Sequence, residues 1–149
     1  MSTYKGETPS QTDPRITQFF QDFYAMSDDP TESTHESYAR AFTDDATVIM
    51  GTKRAQSYPR ILEFRKALWS GPVKKRLHTL NKIFPFGGDG DSNEVMVYGT
   101  VDYELKNGKD VMVEWAGHAV FTEKDGGLKM KFYQVYMDSA PVAEAVKES

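Results

Sequence analysis

Asp102 and His78 are the two side chains best suited to chemistry. Each sits inside a segment of alternating apolar and polar residues, Asp102 between Val101 and Tyr103. A carboxylate enclosed among apolar neighbours has to be paired, protonated or functional, because burying it alone is costly. Desolvation also raises its pKa toward the range useful to a general acid or base. An imidazole titrates near neutral pH, and a neighbouring carboxylate orients it. If both point the same way, they form an acid–base dyad able to move a proton between two carbons, or from carbon to a leaving hydroxyl. That chemistry needs no metal and no cofactor. The competing readings are a solvated aspartate and a structural histidine.

Other candidates are weaker. His118 falls opposite in parity to Trp115, where an interface role is expected, and His35, one turn before Tyr38, reads as a surface or capping residue. The three histidines lack metal-ligand spacing, so no metal site is expected. Asp89, Asp91 and Asn93 imitate the start of a calcium loop, but Glu94 and Thr100 stand where that loop needs Gly and Glu, so a hairpin loop is expected. The absence of cysteine excludes thiolate catalysis, disulfides and zinc-thiolate sites. There is no nucleophile elbow, phosphate loop or dinucleotide fingerprint. With 18 Lys+Arg against 22 Asp+Glu, the net charge is −4, which argues against nucleic acid as a partner. Lys74, Lys75 and Arg76 form too short a cluster to change that and read as the solvated start of a strand. No apolar run approaches the roughly 20 residues of a membrane span. The start, MSTYKGETPSQTDPR, is polar and no glycosylation sequon occurs, so a cytoplasmic protein is expected.

The elements that must hold these side chains follow from the spacing. The 149 residues suit one domain, with residues 1–12 as an N-terminal tail, 13–140 as the folded unit and 141–149 as a C-terminal tail. Asp13-Pro14 opens a helix whose stripe is Ile16, Phe19, Phe20, Phe23 and Tyr24. Asp29-Pro30, with Glu32 in the capping-box position, opens a second that ends near Thr43. A short strand runs from Ala46 to Met50, closed by Gly51. A third helix carries Tyr58, Ile61, Leu62, Leu68 and Trp69 and stops at Gly71-Pro72. The pattern then turns to alternation, with strands at Arg76 to Phe84, Glu94 to Leu105, Asp110 to Glu123 and Leu128 to Ser139, joined by Gly87 to Asn93, Asn107-Gly108 and Asp125-Gly126-Gly127. Three helices followed by an antiparallel meander make an α+β protein. Both parities of the long strands are apolar, which implies helices on one face and a second subunit on the other. Gly99 and Gly117, inside strands, allow the sheet to bend.

This order of elements resembles the nuclear-transport-factor-two-like superfamily, which holds SnoaL-like polyketide cyclases, scytalone dehydratase, limonene epoxide hydrolase and ketosteroid isomerase. The resemblance rests on Ala41-Phe42-Thr43-Asp44-Asp45-Ala46-Thr47-Val48 and Tyr133-Gln134-Val135-Tyr136-Met137-Asp138 and spans roughly residues 13 to 140. It implies a cystatin-like, cone-shaped α+β barrel, with a pocket between helices and curved sheet and a homodimer through the outer sheet face. Thr100-Val101-Asp102-Tyr103-Glu104-Leu105 resembles the strand that carries a pocket aspartate or histidine in this group, and Arg76-Leu77-His78 resembles one that supplies a pocket histidine. The complete residue sets of the epoxide hydrolase and of scytalone dehydratase are not reproduced, since Thr100 stands where the former has arginine.

Together these readings predict a cofactor-independent isomerase, cyclase or dehydratase acting on a hydrophobic polyketide, terpenoid or alkaloid-type metabolite, with a non-catalytic dimeric carrier as the alternative. Asp102 and His78 are the expected catalytic pair, with Tyr98 and Thr100 orienting substrate oxygens. Tyr24, Met50, Trp69, Trp115, Tyr133 and Met137 are the expected pocket wall. Tyr103, Phe132 and Tyr136 are expected to face away from it.

Overall fold

The computed structural model describes residues 3–7, 12–86 and 93–147. Helix α1 (Pro14–Ser27) begins where the sequence predicts. Asp13 accepts a hydrogen bond from the Arg15 backbone N–H at 2.9 Å, and Pro14 occupies the first turn, where no N–H is needed. Its Ile16, Phe20, Phe23 and Tyr24 are buried, and Asp28 forms its C-cap. Helix α2 (Glu32–Ala39) is shorter than expected at both ends. The Asp29 carboxylate accepts from the Thr31 N–H at 2.9 Å and the Thr34 hydroxyl at 3.1 Å, a local turn that delays the helix to Glu32. At the other end Phe42 already pairs with Met130, so the strand predicted from Ala46 starts earlier, as β2 (Phe42–Met50). A further strand, β3 (Lys53–Gln56), folds back on it through Gly51 at φ +61°, and α3 (Tyr58–Leu68) follows.

The meander of β4 (Val73–Pro85), β5 (Glu94–Leu105), β6 (Asp110–Lys124) and β7 (Gly127–Met137) is antiparallel throughout, as expected. The whole sheet is mixed, because β2 lies parallel to β7 and β1 (Thr3–Glu7) parallel to β4. Its order is β1-β4-β5-β6-β7-β2-β3. Two expected tails are therefore corrected. Thr3–Glu7 gains strand hydrogen bonds from β4, and Ala140–Lys147 forms helix α4, whose only predicted role was a tail. The remainder of the N-terminal tail, residues 148–149, and the loop segment with Asp89 and Asp91 lie outside the described residues. No described helix is long and apolar enough to cross a membrane.

The core lies between the helices and one face of the sheet. Phe19 and Phe20 of α1 meet Phe121 of β6 edge to face, at centroid distances of 4.9 and 5.5 Å. On β6 the expected division of faces is seen, with Val113, Trp115, Ala119 and Phe121 inward. On β5 it is reversed: Val95, Val97 and Val101 are buried, while Met96, Tyr98 and Asp102 are exposed. The register explains why. Residues opposite one another in an antiparallel pair share a face. Asp102 is opposite Leu77 and Met112, whereas His78 is opposite Val101, so Asp102 and His78 fall on opposite faces of the sheet.

Candidate active site

The inner face and the helices frame a partly open cavity of about 440 Å³. Of the predicted residues, His78, Tyr24, Met50, Trp115, Tyr133 and Met137 contribute to its wall. Tyr98, Thr100 and Asp102 do not, because the even-numbered residues of β5 face outward; Tyr98 instead donates to Glu114 at 3.2 Å on the outer face. Trp69 stands behind the wall, its ring stacked on the Arg76 guanidinium at 4.4 Å. Tyr103, expected to face outward, lines the cavity, whereas Tyr136 is exposed and Phe132 half-buried.

The carboxylate that meets His78 is Asp28. It stands at the C-terminal end of α1, and its side chain is only 2% exposed. Its Oδ1 is 2.6 Å from His78 Nδ1, and its Oδ2 accepts from the His78 backbone N–H at 3.0 Å. A carboxylate only accepts, so Nδ1 carries the proton of the neutral ring and Nε2 holds the basic lone pair. The ring is further held by Tyr24, stacked at 5.1 Å, and by Trp115, edge-on at 5.7 Å. Above it, the Tyr24 and Tyr133 hydroxyls are 2.9 Å apart. Burial pushes both phenols well above their ordinary pKa, and that of Tyr38 up to about 12, so all three remain protonated donors at neutral pH.

Two arginines missed by the sequence reading complete the site. Arg65 of α3 is fully buried and donates to the carbonyls of Met26, Ser27 and Asp29 at 2.7, 3.0 and 2.5 Å, bracketing Asp28. Its Nε donates to His35 Nδ1 at 3.1 Å, so His35 is a buried acceptor rather than the expected surface residue. Arg76, read as solvated, turns into the cavity wall two residues before His78. Burial, the largest influence on both guanidiniums, lowers their pKa from the ordinary arginine value. His118 stays on the outer face, 2.6 Å from Glu94. No three His, Asp or Glu side chains among the described residues converge as a metal site.

No protein-family profile matches the chain, and no curated protein matches it in sequence. Solved structures do match. A Novosphingobium aromaticivorans protein described as a candidate aromatic ring hydroxylase superposes with TM-score 0.73 at 17% identity, over 91% of this chain and 99% of that one. A hexachlorocyclohexane dehydrochlorinase superposes with TM-score 0.68 at 14% identity over 84% of each chain. Nuclear transport factor 2 from Cryptosporidium parvum gives TM-score 0.63 at 12% identity over 89% of this chain and 99% of that one. The chain has the nuclear-transport-factor-two-like fold. In this NTF2-like cone, α1 and α3 close one side and β4 to β7 the other, which is why a histidine from β4 meets an aspartate from the end of α1.

Proposed function

We propose that the protein is a cofactor-independent isomerase, cyclase or dehydratase in which His78, oriented by Asp28, transfers a proton on a largely apolar metabolite held in the cone. The supporting observation is the His78–Asp28 pair at 2.6 Å beside a partly open cavity whose wall is largely aromatic and aliphatic. His78 Nε2 takes a proton from an acidified carbon. Asp28 keeps the ring in the tautomer with that lone pair available and stabilises the imidazolium that forms. The same proton is then returned to a second carbon, or given to a departing hydroxyl as water leaves. Tyr24 and Tyr133 share one hydrogen bond, which leaves one hydroxyl proton of the pair available to a substrate oxygen. That one similar structure is named a dehydrochlorinase fits elimination chemistry on this fold. A polyketide, terpenoid or alkaloid-type substrate suits the ring-rich wall.

The test is solvent exchange. A panel of enolisable aromatic and alicyclic ketones is incubated with the protein in D2O, and deuterium uptake and product formation are followed by mass spectrometry. His78→Ala is expected to lower the rate by roughly 10²–10⁴-fold, and Asp28→Asn to lower it as well by disturbing the tautomer. Asp102→Asn is expected to change nothing. Exchange that survives His78→Ala in a folded variant would overturn the reading.

A further inference from the structure

The composition of the cavity wall runs against that of the protein. The chain has a net charge of −4, yet the wall contains Lys53, Arg65 and Arg76 and neither aspartate nor glutamate. Asp28 lies behind the wall, with one carboxylate oxygen on the His78 ring and the other on the His78 backbone N–H, and its charge also acts on Arg76 through space. The buried Arg65 and the half-buried Arg76 differ in how they are satisfied. Arg65 donates to three backbone carbonyls and to His35. Arg76 makes one such bond, from Nη2 to the Leu68 carbonyl at 2.6 Å, and among the described residues its buried Nη1 has no hydrogen-bond partner. Among the described residues no carboxylate forms an ion pair with it. Its flat faces lie against Trp69 at 4.4 Å and Tyr103 at 5.9 Å, so rings hold it in place, and the Asp28 carboxylate acts on its charge without contacting it. The indole N–H groups of Trp69 and Trp115 are likewise buried without a partner among the described residues. The wall and its immediate backing therefore hold a surplus of donors and positive charge.

We infer that the cavity binds an anion: an apolar ligand bearing a carboxylate or an acidic enol oxygen, which docks against Arg76 while its carbon skeleton lies among Tyr24, Trp115 and Tyr133. A half-buried guanidinium is stabilised by an anion brought into the same low-dielectric site, and that attraction acts over several ångströms, so direct contact with Nη1 is not required. Arg76 and His78 are two residues apart on one strand face, which puts their Cα atoms roughly 7 Å apart. An oxygen at Arg76 thus belongs to the same conjugated fragment as the carbon that His78 reaches. The inference deepens the proposed function by naming its substrate class, but it concerns binding and can be read where no turnover occurs.

The experiment compares matched probes by calorimetry: 2-naphthoate as the carboxylate, 2-hydroxy-1,4-naphthoquinone as the acidic enol, and neutral 2-naphthamide. The wild type is expected to bind at least one of the anions at least tenfold more tightly than the amide, and which one does so tells carboxylate from enol. Arg76→Met is expected to abolish that preference, Arg76→Lys to keep part of it and Asp102→Asn, on the opposite face of the sheet, to leave it in place. Equal affinity for anion and amide in the wild type, which requires no variant, would overturn the inference. So would a preference that persists in folded Arg76→Met, or failure of both anions to bind at millimolar concentration. An anion preference without deuterium exchange would leave the binding inference standing and remove the proposed catalysis.

Discussion

Arg65 reaches the cavity wall and also clamps the backbone on either side of Asp28. Its three backbone acceptors are the last carbonyls of α1 and the residue just beyond, where the helix dipole is negative. Removing the guanidinium takes this donor from the Ser27 and Asp29 carbonyls, while Met26 keeps the Asp29 N–H at 3.2 Å, so Arg65→Met is expected to cost about 3 kcal/mol of stability in urea denaturation. The fourth acceptor makes the clamp sensitive to pH. His35 accepts from Arg65 through Nδ1 and must be neutral there. Burial first, and then the Arg65 charge, hold its pKa below the ordinary 6.5. The folded state thus binds fewer protons than the unfolded one across that interval. The contribution to stability is full above the unfolded value near 6.5 and is lost as pH falls from there through the folded value. The urea midpoint is therefore expected to fall between pH 7.5 and 5.5, and less steeply in His35→Gln, whose amide oxygen accepts from Arg65 without titrating. Equal slopes for the two proteins would count against the clamp.

At the scale of elements, the cone depends on how closely β4, β5 and β6 approach. A Cβ on Gly99 would stand 2.0 Å from the Thr79 carbonyl oxygen and 3.1 Å from the Trp115 ring. The first of these is backbone and cannot swing aside, so Gly99→Ala must push β4 away from β5 near the bulge between Leu80 and Lys82. A loss of about 2–3 kcal/mol in stability is expected, read as a lower thermal midpoint, together with altered Trp115 fluorescence. The same strands show what a sequence can and cannot reveal. The start of α1 was legible because Asp13-Pro14 and the Ile16 to Tyr24 stripe are local signals. The meander was legible because its turns carry Gly108, Gly126 and Gly127. The inward face of β5 was not. Val95, Val97 and Val101 are the more apolar parity, but the carboxylate of Asp102 draws a sequence reading to the other one, and the register with β4 settles which faces inward. Asp28 was hidden for a different reason. Asp28-Asp29-Pro30 reads as a turn opening the next helix, and nothing local signals a partner fifty positions away. Arg76 was masked by Lys74 and Lys75, which do remain exposed. The alternation that turned His78 inward would have turned Arg76 with it.

At the scale of the whole molecule, the outer face of the sheet carries a second apolar surface. The sheet edges are β1 and β3, so β4, β5 and β6 offer a broad face away from the cavity. Register brings Leu77, Asp102 and Met112 into one row and places Met96 and Tyr98 further along β5 on the same face. Met112 is 58% exposed, and Leu77, Met96 and Tyr98 are each between 37 and 39% exposed. Large apolar side chains grouped in this way on a sheet face are more consistent with a covered surface than with a solvated one. A two-fold contact lets one such face serve both subunits. A homodimer through this face is therefore expected, and Asp102, withdrawn from the cavity, becomes a residue of its rim or interior. Light scattering at micromolar concentration should give twice the chain mass. Met112→Glu places a like-charged pair across the two-fold contact, because each subunit contributes the same face, and should shift the mass to that of one chain. Because Met112 and the cavity lie on opposite faces of the sheet, the anion preference at Arg76 should persist in that monomer. A wild-type protein that is monomeric at that concentration would show that these residues are simply exposed. Loss of anion binding on dissociation would instead show that the second subunit completes the cavity.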